Sequence, residues 1–401
     1  MIKDTMDFKT ILEGLNALPI FKMSLGSKEL FHSNFLEYLW SLDKKRFINL
    51  INDLFGGEVL AEDANNYELS REKENFDICI YHNEGKKFIY DVIIENKVKS
   101  IPNKKQLDGY VEKVKNHKQG QKANYLLLSL ITDFPDKDDI INDNVWTIVN
   151  YRNLHYAISK CYAELEDKNS VYIKDYLKFA ELMQELEKAI VPENFTDETL
   201  WPAYECYKQY RLHDLYIKLR GLKFMYMLKD KLEKANITSD IIPIGGYKLR
   251  EYYNTLCDED KKGVYLNWNV FNAVGQIAAF IHNGSNEIYE IVIQGDQYRH
   301  GINYYDENDS NLKSLINSKS DKAIEEIWSR VCENDFIKNY YWGRKSEALN
   351  TEYKKQKTYC QYKPDYVYRY LNISQLKIST LLDRMVEDIK HTIENTTNTT
   401  N

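Results

Sequence analysis

Two charged residues end a mostly apolar stretch of the sequence, and their spacing favours chemistry. Residues 88–94 read FIYDVII, and Glu95, Asn96 and Lys97 follow directly. Alternate side chains of a strand point to the same face, so Glu95 and Lys97 should lie side by side. A carboxylate and an ammonium are costly to place on such an apolar strand unless something offsets their charge. A bound divalent cation would do so for Glu95.

A second carboxylate precedes this strand. Asp77 opens the segment DICIY, and residues 82–85 (HNEG) have the composition of a turn between two antiparallel strands. If the strands pair as a hairpin, Asp77 approaches Glu95, and two such carboxylates repel unless a metal or a proton joins them. Magnesium commonly takes one or two carboxylates together with substrate phosphate, so the pair is a candidate metal site. Lys97 would then lie beside the metal.

A glutamine and a tyrosine follow, four residues apart, in a stretch with helical spacing. Gln106 and Tyr110 would therefore share one helix face. Together with Asp77 and the Glu-Asn-Lys run at residues 95–97, they resemble the PD-(D/E)xK nuclease superfamily, in its branch with a QxxxY motif. The resemblance covers roughly residues 25–190 and implies a restriction-endonuclease-like fold, with a mixed four-stranded sheet between helices.

The resemblance also implies roles for the residues of the motif. Asp77, Glu95 and the carbonyl of Asn96 would bind Mg²⁺ or Mn²⁺, and Lys97 would position or activate water for attack on a phosphodiester. In the same family pattern Gln106 and Tyr110 would orient the site and the nucleic-acid strand.

Two further positions bear on the resemblance. Residues 29–33 (ELFHS) resemble the start of one bacterial family of the superfamily, in which a helix adds a polar side chain to the site, so Glu29 is a candidate site residue. Phe76 departs from the pattern, because it stands where the proline of the signature would be.

Other polar residues have structural explanations that compete with functional ones. We expect His32 to be a buried, hydrogen-bonded helix residue. We expect Glu68 and Glu72 to form salt bridges, and Asp91 to be solvated at the edge of its strand. For the Glu95–Lys97 pair the competing explanation is a solvated hairpin whose ion pair contributes little, but the run 89–94 is too apolar for it.

The hydrophobic pattern places these residues in the first of two domains. Helices are predicted at 8–22, 28–41, 44–55, 104–117, 152–164 and 172–190, and strands at 67–71, 76–81, 88–98, 124–131 and 145–149. This order indicates an α/β fold, in which a mixed central sheet is flanked by helices over residues 1–190.

A second, α+β domain is predicted over residues 200–394. The pattern breaks at 191–199 (VPENFTDET), and the low-complexity tail at 395–401 is expected to be disordered. The predicted helices of this domain are 200–236, 310–332 and 374–394, and the predicted strands are 263–270, 275–282 and 286–294.

Charge is distributed unevenly along this acidic chain. The formal net charge is −7, which argues against a protein with positive potential over its whole surface. Residues 86–122 nevertheless contain ten lysines against four acidic residues, a net charge of +6, and residues 353–370 interleave five cationic residues with tyrosines. Such patches suit a phosphate backbone and stacked bases. A solvated helix and a strand pair with abundant tyrosine are the structural alternatives.

These features predict a metal-dependent nuclease that acts on nucleic acid, with DNA ahead of RNA, and analogy suggests bacterial defence. A catalytically inactive nucleic-acid or protein-binding module on the same fold, and a nuclease directed at RNA, stay open. So do endonuclease or exonuclease cleavage and a homo-oligomer or protein partner. No apolar run of about 18 residues and no CxxC pair occur, so we expect a cytoplasmic protein without a membrane span.

Overall fold

The computed structural model describes most of the chain, and the chain divides into two compact units. The described residues are 7–23, 28–85, 87–98, 102, 104–117, 122–131, 145–164, 170–242, 263–271, 274–282, 287–304, 360–361 and 366–396. The first unit contains the described residues up to Pro192 and Tyr204–Leu219. The second contains Glu193–Ala203, Arg220–Ile242 and the described residues that follow.

The first unit is built on a mixed sheet of five strands in the order β1-β2-β3-β4-β5. The strands are β1 (Tyr67–Arg71), β2 (Ile78–Glu84), β3 (Lys87–Lys97), β4 (Asn124–Ser129) and β5 (Trp146–Asn150). The first three pair antiparallel, and β3, β4 and β5 pair parallel. The predicted α/β class and mixed sheet are confirmed. The sheet has five strands, not four, because β1 pairs with β2 along its whole length.

Helices flank this sheet, and local capping fixes several of their ends. The helices are α1 (Phe8–Ala17), α2 (Pro19–Met23), α3 (Lys28–Leu42), α4 (Lys44–Phe55), α5 (Lys104–His117), α6 (Tyr151–Tyr162), α7 (Ser170–Ile190) and α8 (Tyr204–Gln209). The side chains of Asp7, Asp43 and Asn150 accept backbone N–H bonds from the first turns of α1, α4 and α6. Gly56 ends α4 with a left-handed φ of 70°.

Strand β3 runs through the centre of this sheet and is buried on both faces. Ile93 and Ile94 point to opposite faces, and both are fully buried. The α5 residues Leu107 and Val114 are buried as well. The polar residues at the end of β3 therefore lie in an apolar environment, where an electrostatic contact is stronger than in water.

The second unit is built on a seven-stranded sheet in the order β11-β12-β10-β9-β8-β7-β6. Its strands are β6 (Ser239–Ile241), β7 (Gly263–Phe271), β8 (Val274–His282), β9 (Glu287–Gln294), β10 (Gln297–Tyr304), β11 (Cys360–Gln361) and β12 (Tyr366–Asn372). Only the β6–β7 pair is parallel among these described strands. One of the divisions between the units falls within α9 (His213–Lys234), after Leu219, and α10 (Ile378–Thr396) packs on β8 and β9.

Some sequence predictions fall outside the described residues. The helix predicted at 310–332 lies there, as do residues 397–401 of the predicted tail. Among the helices that the structure describes, none is both long enough and apolar enough to cross a membrane.

Candidate active site

The end of β3 brings Glu95 and Lys97 into direct contact. Both side chains project from one face of the strand, and Lys97 Nζ lies 2.7 Å from Glu95 Oε1. Glu95 is 2% exposed and Lys97 is 8% exposed. The solvated hairpin pair considered from the sequence is therefore excluded: this is a buried ion pair that the apolar strand holds at its end.

Asp77 lies beside the end of β3 because the β2–β3 ladder stops one residue after it. Ile78 opens β2 and pairs with Ile94. Two positions further along β3, the backbone N–H of Asn96 donates to Asp77 Oδ2 at 2.7 Å. The carboxylate thus takes the place of a backbone carbonyl in the ladder, which fixes the half-buried Asp77 beside the backbone that separates Glu95 from Lys97.

Helix α5 adds its glutamine and tyrosine to the same cluster. Gln106 Nε2 donates to Glu95 Oε1 at 3.2 Å and to the Tyr110 hydroxyl at 2.8 Å. Tyr110 in turn donates to the carbonyl of Asn75 at 3.0 Å. Burial, followed by the negative charge of Glu95, raises the pKa of the Tyr110 hydroxyl to about 12. Tyr110 therefore stays a neutral hydrogen-bond donor at physiological pH.

The oxygen atoms of this cluster suit a hard divalent cation. Within the described residues no group of three or more His, Cys, Asp and Glu side chains is arranged to hold a metal. Two carboxylates nevertheless fit Mg²⁺, because this ion keeps several waters and takes substrate oxygens. The N–H and C=O of one strand residue point the same way, so the carbonyl of Asn96 faces the side on which Asp77 lies.

Two residues of the predicted N-terminal segment have different positions relative to this cluster. Glu29 lies in α3, but its side chain is outside the described part of the structure. His32 is 1% exposed, and its Nδ1 lies 2.8 Å from the Tyr176 hydroxyl, as expected for a packed helix residue. Its neighbour Ser33 accepts a 2.7 Å hydrogen bond from Asn96 Nδ2. The helix α3 thereby holds the face of β3 opposite to Glu95.

Two of the remaining acidic candidates, Glu68 and Asp91, have partners of their own. Glu68 Oε2 accepts a hydrogen bond from the Tyr81 hydroxyl at 2.8 Å, where a salt bridge was expected. The expectation for Asp91 was wrong, because its side chain is half-buried and His82 Nδ1 lies 2.7 Å from Asp91 Oδ2. Burial raises the pKa of Asp91.

Sequence reasoning missed the contacts of two residues that support the cluster, although it counted Lys113 among the lysines of the basic patch at 86–122. Ser33 fixes the side chain of Asn96, and Lys113 donates to the backbone carbonyl of Glu74, just before Asp77 in the chain. Lys113 could have been found from its spacing, because it lies seven residues after Gln106 and three after Tyr110 on one helix face. The contact of Ser33 joins residues 63 apart in sequence and has no local signal.

Only part of each basic patch is described. Lys105, Lys115 and Lys122 are exposed, while the side chains of residues 86, 87, 99 and 118 are outside the described set. The second patch, residues 353–370, contributes Tyr370, which is exposed, and Tyr368, whose ring centroid lies 4.4 Å from the guanidinium of Arg299 on β10.

Comparison with known proteins agrees with the motif. The profile of a family described as belonging to the PD-(D/E)XK nuclease superfamily matches residues 15–179. The match includes every residue of the cluster and confirms the resemblance and the fold class. Neither the curated proteins nor the solved structures include a significant match to the chain.

Proposed function

We propose that this chain, whose residues 15–179 match a family of the PD-(D/E)XK nuclease superfamily, is a metal-dependent nuclease that hydrolyses phosphodiester bonds. The observation that carries the proposal is the meeting of Asp77, Glu95 and Lys97 at the adjoining ends of β2 and β3. A structural ion pair has no need of a second carboxylate beside the first, whereas two neighbouring carboxylates are a ligand set that Mg²⁺ takes together with water and substrate oxygens.

Each residue of the cluster would have a role that follows from its position. Asp77, Glu95 and the carbonyl of Asn96 would hold Mg²⁺ or Mn²⁺, which when bound polarises the phosphate and lowers the pKa of water. Lys97 would orient the attacking water and offset negative charge at phosphorus. Gln106 keeps Glu95 oriented through the hydrogen bond to Oε1. Glu29 would add a polar group from α3.

We assign recognition to the remainder of the chain. Residues 200–394 would select the substrate or a partner, and the exposed lysines of α5 and the loop before β4 would contact phosphates. DNA is the proposed substrate, in a cytoplasmic role such as defence against foreign DNA, an assignment that rests on analogy.

Cleavage of labelled DNA and RNA, single- and double-stranded, tests the proposal with Mg²⁺, Mn²⁺ or EDTA. The variants are Asp77→Asn, which keeps an oxygen able to accept the Asn96 N–H bond, and Lys97→Met, which keeps an unbranched stem. Circular dichroism and thermal melting establish that both are folded. We expect metal-dependent cutting of DNA by the wild type and loss of roughly 100-fold or more in each variant.

The other outcomes separate the alternatives. Cutting by the variants at the wild-type rate would place the activity elsewhere or in a contaminant. Preferential cutting of RNA would change the substrate and keep the site. Nucleic-acid binding with no cutting by any protein under any metal would favour the inactive binding module.

A further inference from the structure

The segment between β1 and β2 has a backbone that side chains rarely adopt. Glu72, Glu74 and Asn75 have φ values of 55°, 54° and 68°, all in the left-handed region, and none is a glycine. Such residues cost free energy and persist where the surrounding structure holds them. Asp77 follows two residues after Asn75, so the position of a proposed metal ligand depends on this strained loop, residues 72–75.

One face of α5 holds the strained loop. Tyr110 donates to the carbonyl of Asn75 at 3.0 Å, and the ammonium of Lys113 donates to the carbonyl of Glu74. The two residues are three apart on the helix and therefore adjacent on its surface. Gln106, one turn before Tyr110, contacts Glu95. A single helix face thus fixes both sides of the cluster.

An aromatic anchor connects the loop to Asp77. Phe76 is fully buried, and its ring meets that of Tyr110 edge-on, with centroids 5.2 Å apart and planes at 72°. Lys113 Nζ lies 5.4 Å from the Phe76 ring centroid. The residue that replaces the proline of the family signature is therefore packed against the helix that holds the loop, and Asp77 is its direct neighbour.

We infer that Lys113 is a positioning residue of the nuclease site and acts on Asp77 through the strained loop. This inference rests on the proposed function. A charged donor makes a stronger hydrogen bond to a carbonyl than a neutral one, so the ammonium opposes relaxation of Glu74 out of the left-handed region. If the loop relaxed, Asp77 would move away from the N–H of Asn96, and the two carboxylates would be less well placed to hold a cation together.

The test compares Lys113→Met with Lys113→Arg. Methionine keeps an unbranched stem over Phe76 without the ammonium, and arginine restores a cationic donor. The readouts are Mn²⁺ binding by calorimetry without nucleic acid and the Mn²⁺ concentration for half-maximal cleavage. For Lys113→Met we expect both midpoints to rise about tenfold, as when support for a metal ligand is lost. The KM for nucleic acid should be unchanged, and Lys113→Arg should recover most of the affinity.

Lys115→Met is the matched control, because it removes the same charge from an exposed position of α5. A loss of phosphate contacts would raise the KM for nucleic acid in this variant without moving the Mn²⁺ midpoint. Equal Mn²⁺ midpoints for Lys113→Met and the wild type, or equal shifts in Lys113→Met and Lys115→Met, would overturn the inference.

Hydrogen exchange without metal separates this inference from the proposed function. The Asn96 amide donates to Asp77 Oδ2, so its exchange rate reports the position of Asp77. Faster exchange in Lys113→Met than in Lys115→Met supports the positioning role even if the wild type cuts no substrate. Unchanged exchange in Lys113→Met contradicts that role even if the wild type is an active nuclease.

Discussion

Each unit of the chain buries a carboxylate against a cation, but the surroundings of the two carboxylates differ. Asp388, on α10, is fully buried. Its Oδ2 accepts hydrogen bonds from Arg384 Nε at 2.7 Å and from the Tyr298 hydroxyl at 2.8 Å, and His300 Nε2 lies 3.2 Å away. Burial alone would raise the pKa of Asp388, but His300, Arg384 and Tyr298 lower it to about 2.

The carboxylate of the first unit lies at the end of a strand, beside a second acid. Glu95 Oε1 receives Lys97 and Gln106, while the half-buried Asp77 lies against the backbone one residue further on. The three donors around the buried Asp388 stabilise the fold of the second unit. Two acids with a lysine, where the β2–β3 ladder ends, are the arrangement that the proposed function requires for a cation and a substrate. If the proposed function holds, the environment of the buried charge, more than its burial, separates the structural site from the catalytic one.

The largest effect is expected from removing the cation of the second unit. Arg384→Met leaves a buried acid with one donor fewer and should lower the free energy of unfolding by about 3–5 kcal/mol. Urea denaturation followed by hydrogen exchange of β10 and α10 peptides measures it. Lys390→Met, at an exposed position of the same helix, should change it by less than about 0.5 kcal/mol. Equal effects of the two variants would contradict a structural role for the Asp388 cluster.

Removing the cation of the first unit should give a different pattern. Lys97→Met should lower stability by roughly 3 kcal/mol without metal, because Glu95 then lacks its ammonium partner. Added Mn²⁺ should restore much of that stability, since a ligand that binds the folded state stabilises it. Cleavage should stay reduced roughly 100-fold or more.

Denaturation of Lys97→Met with and without Mn²⁺, beside Arg384→Met, measures this difference. If Mn²⁺ restored the stability of Arg384→Met, or if it failed to restore that of Lys97→Met, the distinction between the two sites would be lost.

Low pH should also distinguish the two units, through its effect on stability. The pKa of Asp388 is lowered from its usual 3.8 to about 2, so its stabilising contribution is complete above pH 3.8 and is lost as the pH falls through about 2. The shift corresponds to about 2–3 kcal/mol. Hydrogen exchange of α10 peptides at pH 5 and pH 2.5 should show this loss, and Asp388→Asn should abolish the pH dependence. An α10 whose protection is equally pH-dependent in that variant would assign the loss to other carboxylates.

Local signals were sufficient to predict two parts of the cluster of the first unit. Helix α5 spans Lys104–His117, as the periodicity predicted, and the alternation of β3 placed Glu95 and Lys97 on one face. Both facts follow from residues at most four apart. The loop that aims Asp77 could not be predicted, because its left-handed backbone is held by Tyr110 and Lys113, which lie more than thirty residues away.

Other elements were not predicted correctly from the sequence, in part because they depend on contacts between distant residues. Strand β10 reads QYRHGINY, which is too polar for a core strand until Tyr298 and His300 meet Asp388, about ninety residues later. The helix predicted at 200–236 is interrupted where Arg211 adopts a φ of 53°. The helix predicted at 8–22 is divided because Leu18, which precedes a proline, is extended.

The smallest effects should come from deleting one hydroxyl in each unit. Tyr298→Phe removes a hydrogen bond to a buried carboxylate and should cost about 1–3 kcal/mol of stability without affecting cleavage. Tyr110→Phe keeps the ring against Phe76 but removes the bond to Asn75, so the loop and Asp77 should lose their support. We expect a rise of about tenfold in the Mn²⁺ midpoint of cleavage.

Urea denaturation and Mn²⁺ titration of both variants measure the stability and the Mn²⁺ midpoint of each. A Tyr110→Phe variant that loses stability but keeps the wild-type Mn²⁺ midpoint would make Tyr110 as structural as Tyr298, and Asp77 would then owe its position to Phe76 and the β2–β3 ladder instead.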